Sequence, residues 1–227
     1  MNHKDKRITK GYKGIIGMDG FIAYWYDKNA RKNQIVTYKA FIQRIIPHLK
    51  NGISVLDVAP GPGYLTIELS RLGNFDITGL DISRTFVEIA KRNAADAGKD
   101  IRFELGDAAY MPFPNDAFNF IICTAAFKNF SQPVKVLREM YRVLKPHGMV
   151  CISDLRHDAS DEMIDDYVKN SMKAEGFASF FMKWSFKSFL RNRAYTKDQL
   201  SKFISETKFK NYTYKENSVE LDIWLKK

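Results

Sequence analysis

Residues Val55-Leu56-Asp57-Val58-Ala59-Pro60-Gly61-Pro62-Gly63 join an apolar, β-branched run to an acidic residue and two glycines spaced by one. The run reads as a buried strand of a parallel sheet. The glycines read as a tight turn where positive φ is allowed and a ligand meets backbone with no Cβ in the way. Tyr64 to Arg71 then reads as a helix whose N-terminus faces that ligand. A dinucleotide fingerprint needs a third glycine three residues after Gly63, where this chain has Thr66, and no Gly-Lys-Ser or Gly-Lys-Thr of a phosphate-cradling loop follows. Asp57 is ill placed beside phosphates and well suited to a cationic group such as an amino acid ammonium. The turn is therefore expected to take an adenosyl amino acid and not a pyrophosphate.

Outward from the turn, strands and helices alternate as a right-handed doubly wound α/β sheet requires. Before it, Ile35, Tyr38, Phe41, Ile42, Ile45 and Ile46 recur at spacings of three and four within Phe21 to Leu49, which gives a helical pattern with one apolar face. Residues 1–20, with glycines at 11, 14, 17 and 20, read as loosely draped. After it, Ile77 to Ile82 and Asn119 to Thr124 read as strands. A period of 3.6 in Val136, Met140, Val143 and Leu144 reads as a helix stopped by Pro146 and Gly148, ahead of a strand from Met149 to Ser153. The alternation then breaks for about forty aromatic-rich residues. It resumes at Thr196-Lys197-Asp198-Gln199, an N-cap signature, and at two alternating segments, Tyr212 to Tyr214 and Val219 to Leu225.

Three segments in order resemble the class I S-adenosylmethionine-dependent methyltransferases. They are the turn at 55–63, Asp81 at the end of Ile77-Thr78-Gly79-Leu80-Asp81-Ile82, and Phe103-Glu104-Leu105-Gly106-Asp107-Ala108. The resemblance continues through Met111-Pro112-Phe113-Pro114 and Met140-Tyr141-Arg142-Val143-Leu144-Lys145-Pro146. With Phe127-Lys128-Asn129, these look most like the ubiquinone and menaquinone C-methyltransferase-like group (methyltransferase type 11). It covers residues 50 to 155, with departures at Ala59, where the family usually has a glycine, at His147 and at Asn119.

The resemblance implies a Rossmann-like seven-stranded sheet, mostly parallel with an antiparallel C-terminal strand, and a helical, aromatic cap. The length of 227 residues suits one α/β core plus a cap, so one domain is expected over 1–227: an N-terminal helical cap to residue 50, a cofactor core over 51–155, a cap insert over 156–193, and a closing helix and strands over 194–227. The cofactor would be S-adenosyl-L-methionine, released as S-adenosyl-L-homocysteine. Asp57, Ala59, Gly61 and Gly63 would hold its methionine end, and Asp81 both ribose hydroxyls. Asp107 and Ala108 would hold the adenine, Ile82 and Met111 would flank the ring, and Thr124 would complete the set.

Charge and composition bound the alternatives. The formal charge of +10 divides as +8 over residues 1–50, zero over 51–150 and +2 over 151–227, so the cofactor core is neutral and basic residues flank it. Basic flanks admit an RNA or DNA methyltransferase. Thr124-Ala125-Ala126-Phe127, however, lacks the Asn/Asp-Pro-Pro-aromatic motif that orients a flipped base, and no Pro-Cys nucleophile is present. A non-catalytic cofactor-binding relative is the remaining alternative. Cys123 and Cys151 lie within apolar runs and are expected to be packed thiols, and no metal-ligand spacing occurs. The Lys-rich start without an apolar core segment, and the lack of any apolar run near twenty residues, lead to a cytoplasmic expectation.

Methyl transfer from a sulfonium is an in-line displacement that depends chiefly on positioning, so no catalytic triad is required. The acceptor is expected to be a small molecule, partly apolar or aromatic. His157, just past the fifth strand, and Tyr24 and Tyr26 are the candidate groups for touching substrate or taking a proton, with Asp158 and His147 as further candidates. His147 has the stronger structural explanation, as a turn residue at the opposite edge. The aromatic insert, with Phe177, Phe180, Phe181, Trp184, Phe186 and Phe189 among Lys183, Lys187, Arg191 and Arg193, has three readings. It is plain core, a lid over an apolar pocket, or, through 177–193, an interfacial helix at an anionic membrane surface. Oligomeric state is not readable from the sequence.

Overall fold

The computed structural model describes residues 19–33, 35–172 and 176–227, and the side chains of 29–33, 177 and 178 are not described. Most of the segment expected to be loosely draped, and the ring of Phe177, lie outside what is described. The elements in order are α1 (Phe21–Asn33), α2 (Ile35–Ile45), β1 (Ser54–Val58), α3 (Tyr64–Leu69), β2 (Asp76–Asp81), α4 (Arg84–Asp96), β3 (Arg102–Leu105) and β4 (Phe118–Thr124). They continue as α5 (Pro133–Val143), β5 (Leu144–Leu155), α6 (Asp161–Asp166), α7 (Gly176–Ser185), α8 (Lys197–Ser205), β6 (Asn211–Asn217) and β7 (Glu220–Lys226). π-Helical stretches extend α6 over Tyr167–Ser171 and α7 over Phe186–Leu190.

The strands form one seven-stranded sheet in the order β3-β2-β1-β4-β5-β7-β6, with β7 antiparallel to both neighbours and every other pairing parallel. Strand order therefore reverses between β1 and β4, and the crevice at the carboxyl ends of those strands is where open α/β sheets bind ligands.

Alternation along β1 sorts its side chains between two cores. Val55 joins α2, α3 and α4 on one face, through Phe41, Ile42, Leu65, Leu69 and Ala90. Leu56 and Val58 join α5 and α8 on the other, through Val136, Met140, Leu200 and Ile204. The two thiols follow the same rule: Cys123 packs in the second core and Cys151 in the first, both buried and free. α8 opens with the capping box expected at Thr196, whose hydroxyl accepts from Gln199 N while the Gln199 side chain accepts from Thr196 N.

Two boundaries differ from the sequence reading. The helical pattern of Phe21 to Leu49 is two helices. α5 ends at Val143, and β5 begins at Leu144, so Pro146, His147 and Gly148 lie within the strand and not in a turn before it. Helical backbone is disfavoured in residues leading to a proline, and Leu144 already pairs with Phe118 ahead of a register shift. His147 takes φ 63° in this irregular stretch and stays exposed.

α2 is fastened to the sheet by charge as well as by packing. Arg44 donates from Nη2 to Glu220 Oε2 at 2.7 Å and to Ser153 Oγ at 3.2 Å, and its Nε lies 2.9 Å from Oδ2 of Asp222, which is fully buried on β7. Removing one partner of such a buried set leaves an uncompensated charge. Arg44→Ala should lower the unfolding free energy by about 3 kcal/mol. Asp222→Asn in that background should recover part of the loss; additive losses in urea titration would refute this coupling.

Candidate functional site

Because side chains alternate along β1, Asp57 shares a face with Val55 and points at α3. There Thr66 Oγ1 donates to Asp57 Oδ2 at 2.7 Å. The residue that occupies the position of the missing third glycine thus has a purpose: it holds the carboxylate. The other oxygen, Asp57 Oδ1, is fully buried with no hydrogen-bond partner among the described residues. An orphaned carboxylate oxygen at this depth is costly unless a cation reaches it, which fits the amino acid ammonium that the turn was expected to hold.

The turn itself is left-handed at three positions, with φ of 61° at Ala59, 57° at Gly61 and 81° at Gly63. Ala59 carries a Cβ in the conformation that only glycine adopts without strain. Gly63 caps α3, and a Cβ there would meet Ala90 Cβ at 3.0 Å and the Phe103 ring at 3.1 Å. Asp81 closes the turn from β2: Gly61 N donates to Asp81 Oδ2 at 3.0 Å, and Ser83 N to Oδ1 at 2.9 Å.

At the end of β3, Gly106 N donates to Asp81 O at 2.9 Å, which brings Asp107 beside the same crevice. Asp107 Oδ1 accepts from Ala109 N at 2.8 Å, and burial pushes its carboxyl upward. Ala108 and Met111 are buried, Met111 within the α5-side core, with its N–H donating to Glu139 Oε2. Ile82 is half-buried beside Asp81, and Thr124 is half-buried at the carboxyl end of β4.

The candidate proton acceptors are more scattered. His157 and Asp158 are exposed beyond β5, Asp158 paired with Arg156, and the Tyr24 ring is exposed on α1. Tyr26 packs edge to face on Phe86 of α4, with ring centroids 5.8 Å apart.

Sequence reading missed the residues that bind α1 to this site. Asp19 Oδ1 accepts from Ser83 Oγ and Thr85 N, and Gly20 N donates to Thr85 Oγ1, so the start of α1 is tied to the loop after Asp81. One turn past Ala23, Asp27 Oδ1 accepts from Tyr64 Oη at 2.7 Å and from Asn93 Nδ2 at 3.1 Å, and the same Asn93 nitrogen donates to Pro62 O within the turn at 2.9 Å. Also missed was a buried pair at the carboxyl ends of β4 and β5. Lys128 Nζ donates to Asp154 Oδ1 and to Ala125 O, both at 2.6 Å, and steadies Ala125 at φ 54°.

Burial governs the two central carboxyls. It pushes Asp57 up to about 7, against the Thr66 hydrogen bond and with the Asp81 charge adding to the rise. It pushes Asp81 up to about 6, against donation from Ser83, Gly61 and Ile82 N–H groups. Acids raised on folding hold extra protons in the folded state, so their stabilising share is full below pH ~4 and is lost as pH rises through 6 and 7. A cation bound at Asp57 favours the carboxylate and reverses that slope. Affinity for S-adenosylhomocysteine should therefore rise about tenfold between pH ~5.5 and ~7.5 in titration calorimetry. Asp57→Asn should flatten the profile; an unchanged profile in that variant would exclude Asp57 as its source.

Comparison with known proteins agrees with this geometry. A family model described as a methyltransferase domain matches residues 49–215. The demethylmenaquinone methyltransferase of Deinococcus radiodurans is 37% identical over 107 residues, 47% of this chain and 44% of that protein. The uncharacterized methyltransferase YcgJ of Bacillus subtilis is 33% identical over 117 residues, 51% of this chain and 46% of that protein. The chain spans about half the length of these curated relatives. In fold, it resembles a structure from Methanococcus maripaludis described as an S-adenosyl-L-methionine-dependent methyltransferase, with a TM-score of 0.74 at 21% identity over 95% of this chain and 96% of that one. A second, from Aquifex aeolicus, gives a TM-score of 0.64 at 17% identity over 99% of each chain. The cofactor of this fold and family is S-adenosylmethionine, and the chain belongs to the methyltransferase-domain family, as a class I S-adenosylmethionine-dependent methyltransferase.

Proposed function

We propose that the chain transfers a methyl group in line to a small, quinone-type aromatic acceptor. The observation that carries the site assignment is the orphaned Asp57 Oδ1 at the left-handed turn, beside Asp81. The acceptor class is supported by the demethylmenaquinone methyltransferases among the relatives, which match over 47% and 43% of the chain. It is also supported by the aromatic character of α1 and α7.

In this reading Asp57 holds the ammonium, with Thr66 keeping its carboxylate oriented. Asp81 is fixed by the Gly61 and Ser83 N–H groups and offers its remaining lone pairs to the ribose hydroxyls. Asp107, with Oδ1 engaged by Ala109, keeps Oδ2 for the adenine amine. The turn at Ala59, Gly61 and Gly63, Ile82, Ala108, Met111 and Thr124 shape the surrounding walls. Bound S-adenosylmethionine supplies an electrophilic methyl on a sulfonium whose thioether leaves readily. The chain's contribution is then orientation and exclusion of water, for which segments 1–50 and 156–193 act as caps over the core. His157, with Tyr24 and Tyr26, is assigned to the acceptor side, where a hydroxyl proton has to be taken.

Incubation with S-adenosylmethionine and a reduced, short-chain naphthoquinone lacking its ring methyl should yield S-adenosylhomocysteine and methylated ring in equal amounts. No product above background would reject the acceptor class. In the same assay Asp81→Ala should weaken cofactor binding by about tenfold or more, through the lost ribose contacts. His157→Ala should lower kcat while leaving cofactor affinity intact, and unchanged turnover would remove His157 from the mechanism.

A further inference from the structure

α7 has its inward side fully used. Met182, Phe186 and Leu190 recur every four residues and pack on a cap core of Ile164, Val168, Met172 and Leu155. Its cations turn toward α6, where Lys183 and Lys187 meet Asp165, and Arg191 meets Asp161. Phe180 and Trp184 lie on another side of the helix, and although both are large aromatics they are 68% and 55% exposed.

α1 adds to the same face. Trp25 meets Phe181 edge on, with centroids 6.4 Å apart, and Phe181 lies 5.9 Å from Trp184. Phe21, at the start of α1, is 83% exposed. Seven of the eleven exposed large hydrophobics among the described residues lie on α1 and on α7 with its extension, so the exposure is concentrated on two helices that meet at Trp25 and Phe181. Concentrated exposed apolar surface of this kind marks a docking site.

Charge selects the occupant. Residues 21–33 hold three basic residues and one acidic, and residues 176–193 hold four basic and none acidic. The four acids of α6 balance the four bases of residues 176–193, and the positive excess comes from α1. Phe and Trp set among Lys and Arg on helices too short and too amphipathic to cross a bilayer match an interfacial surface.

We infer that the composite face of α1 and α7 docks on an anionic lipid bilayer, with Phe21, Trp25, Phe180 and Trp184 entering the headgroup boundary. This rests on the proposed lipophilic acceptor for its purpose, since a docked cap would draw such a molecule from the bilayer. Its physical basis, exposure and charge, is independent of that acceptor.

The test uses the full chain and vesicles of phosphatidylglycerol or phosphatidylcholine. At about 50 mM salt the chain should cosediment with the anionic vesicles and much less with the neutral ones, and about 0.5 M salt should release part of it. Phe21→Ser/Phe180→Ser/Trp184→Ser should reduce anionic-vesicle binding by about tenfold or more with S-adenosylhomocysteine affinity unchanged. If that variant loses the cofactor, the single Phe180→Ser change decides by the same comparison. Absence of vesicle binding, or equal binding by variant and wild type, would overturn the inference. So would a wild-type dimer in sedimentation that the substitutions dissociate, because a second copy would then cover the face. Turnover of the water-soluble quinol without vesicles is scored separately: turnover without docking removes this inference alone, and docking without turnover removes only the acceptor.

Discussion

A carboxylate placed in the interior by strand alternation is the constraint on which the cofactor region depends. Asp57 cannot turn away from the core without turning Leu56 and Val58 out of theirs, because a strand offers only two faces. Its burial requires a donor on α3, which Thr66 supplies, and leaves the other oxygen without a hydrogen-bond partner among the described residues. The left-handed turn that follows then has to lead directly into α3, and Asp81 has to meet it from the neighbouring strand. Asp57, Asp81 and Thr124 stand on strands, and the other members lie in the turns that leave the carboxyl ends of β1, β2 and β3.

The part of this arrangement that was legible in sequence is the part written in short intervals. The strand, turn and helix around residues 55–69, the acid ending β2 and the Thr196 cap are each specified within a few residues, and the structure forms them. Thr66 was visible only as a missing glycine; its pairing with Asp57 depends on how one helical turn faces a strand end. Asp19 and Asp27 were out of reach for a different reason. Their partners Ser83, Thr85, Tyr64 and Asn93 lie 37 to 66 residues away, and a polar residue on an amphipathic helix looks the same whether it faces water or a distant loop.

The misplaced boundary at Val143 and Leu144 has a related origin. Hydrophobic period alone could not separate the last helical residue from the first of the strand, since Leu144 is buried in either conformation, and the decision came from its pairing with Phe118. Basic residues at the flanks were equally ambiguous in sequence. In the structure, Arg44 is absorbed into the carboxylates of β7, Asp222 fully buried and Glu220 partly, whereas Lys183 and Lys187 of α7 make partly buried pairs with Asp165 of α6. One kind of charge therefore contributes to folding and the other to the surface field.

The ties of α1 to the core have a thermodynamic consequence. Those formed by Asp19, Gly20 and Asp27 end on the loops that follow β1 and β2, or on the helices that open from them. Docking of that helix and occupation of the crevice are thus linked equilibria, and linkage is reciprocal. Whatever grips the outer side of α1 changes the hold on the cofactor by the same factor by which the cofactor changes that grip. The first helix is in this sense a shared ligand of both faces, and its affinity for the sheet sets the strength of their conversation.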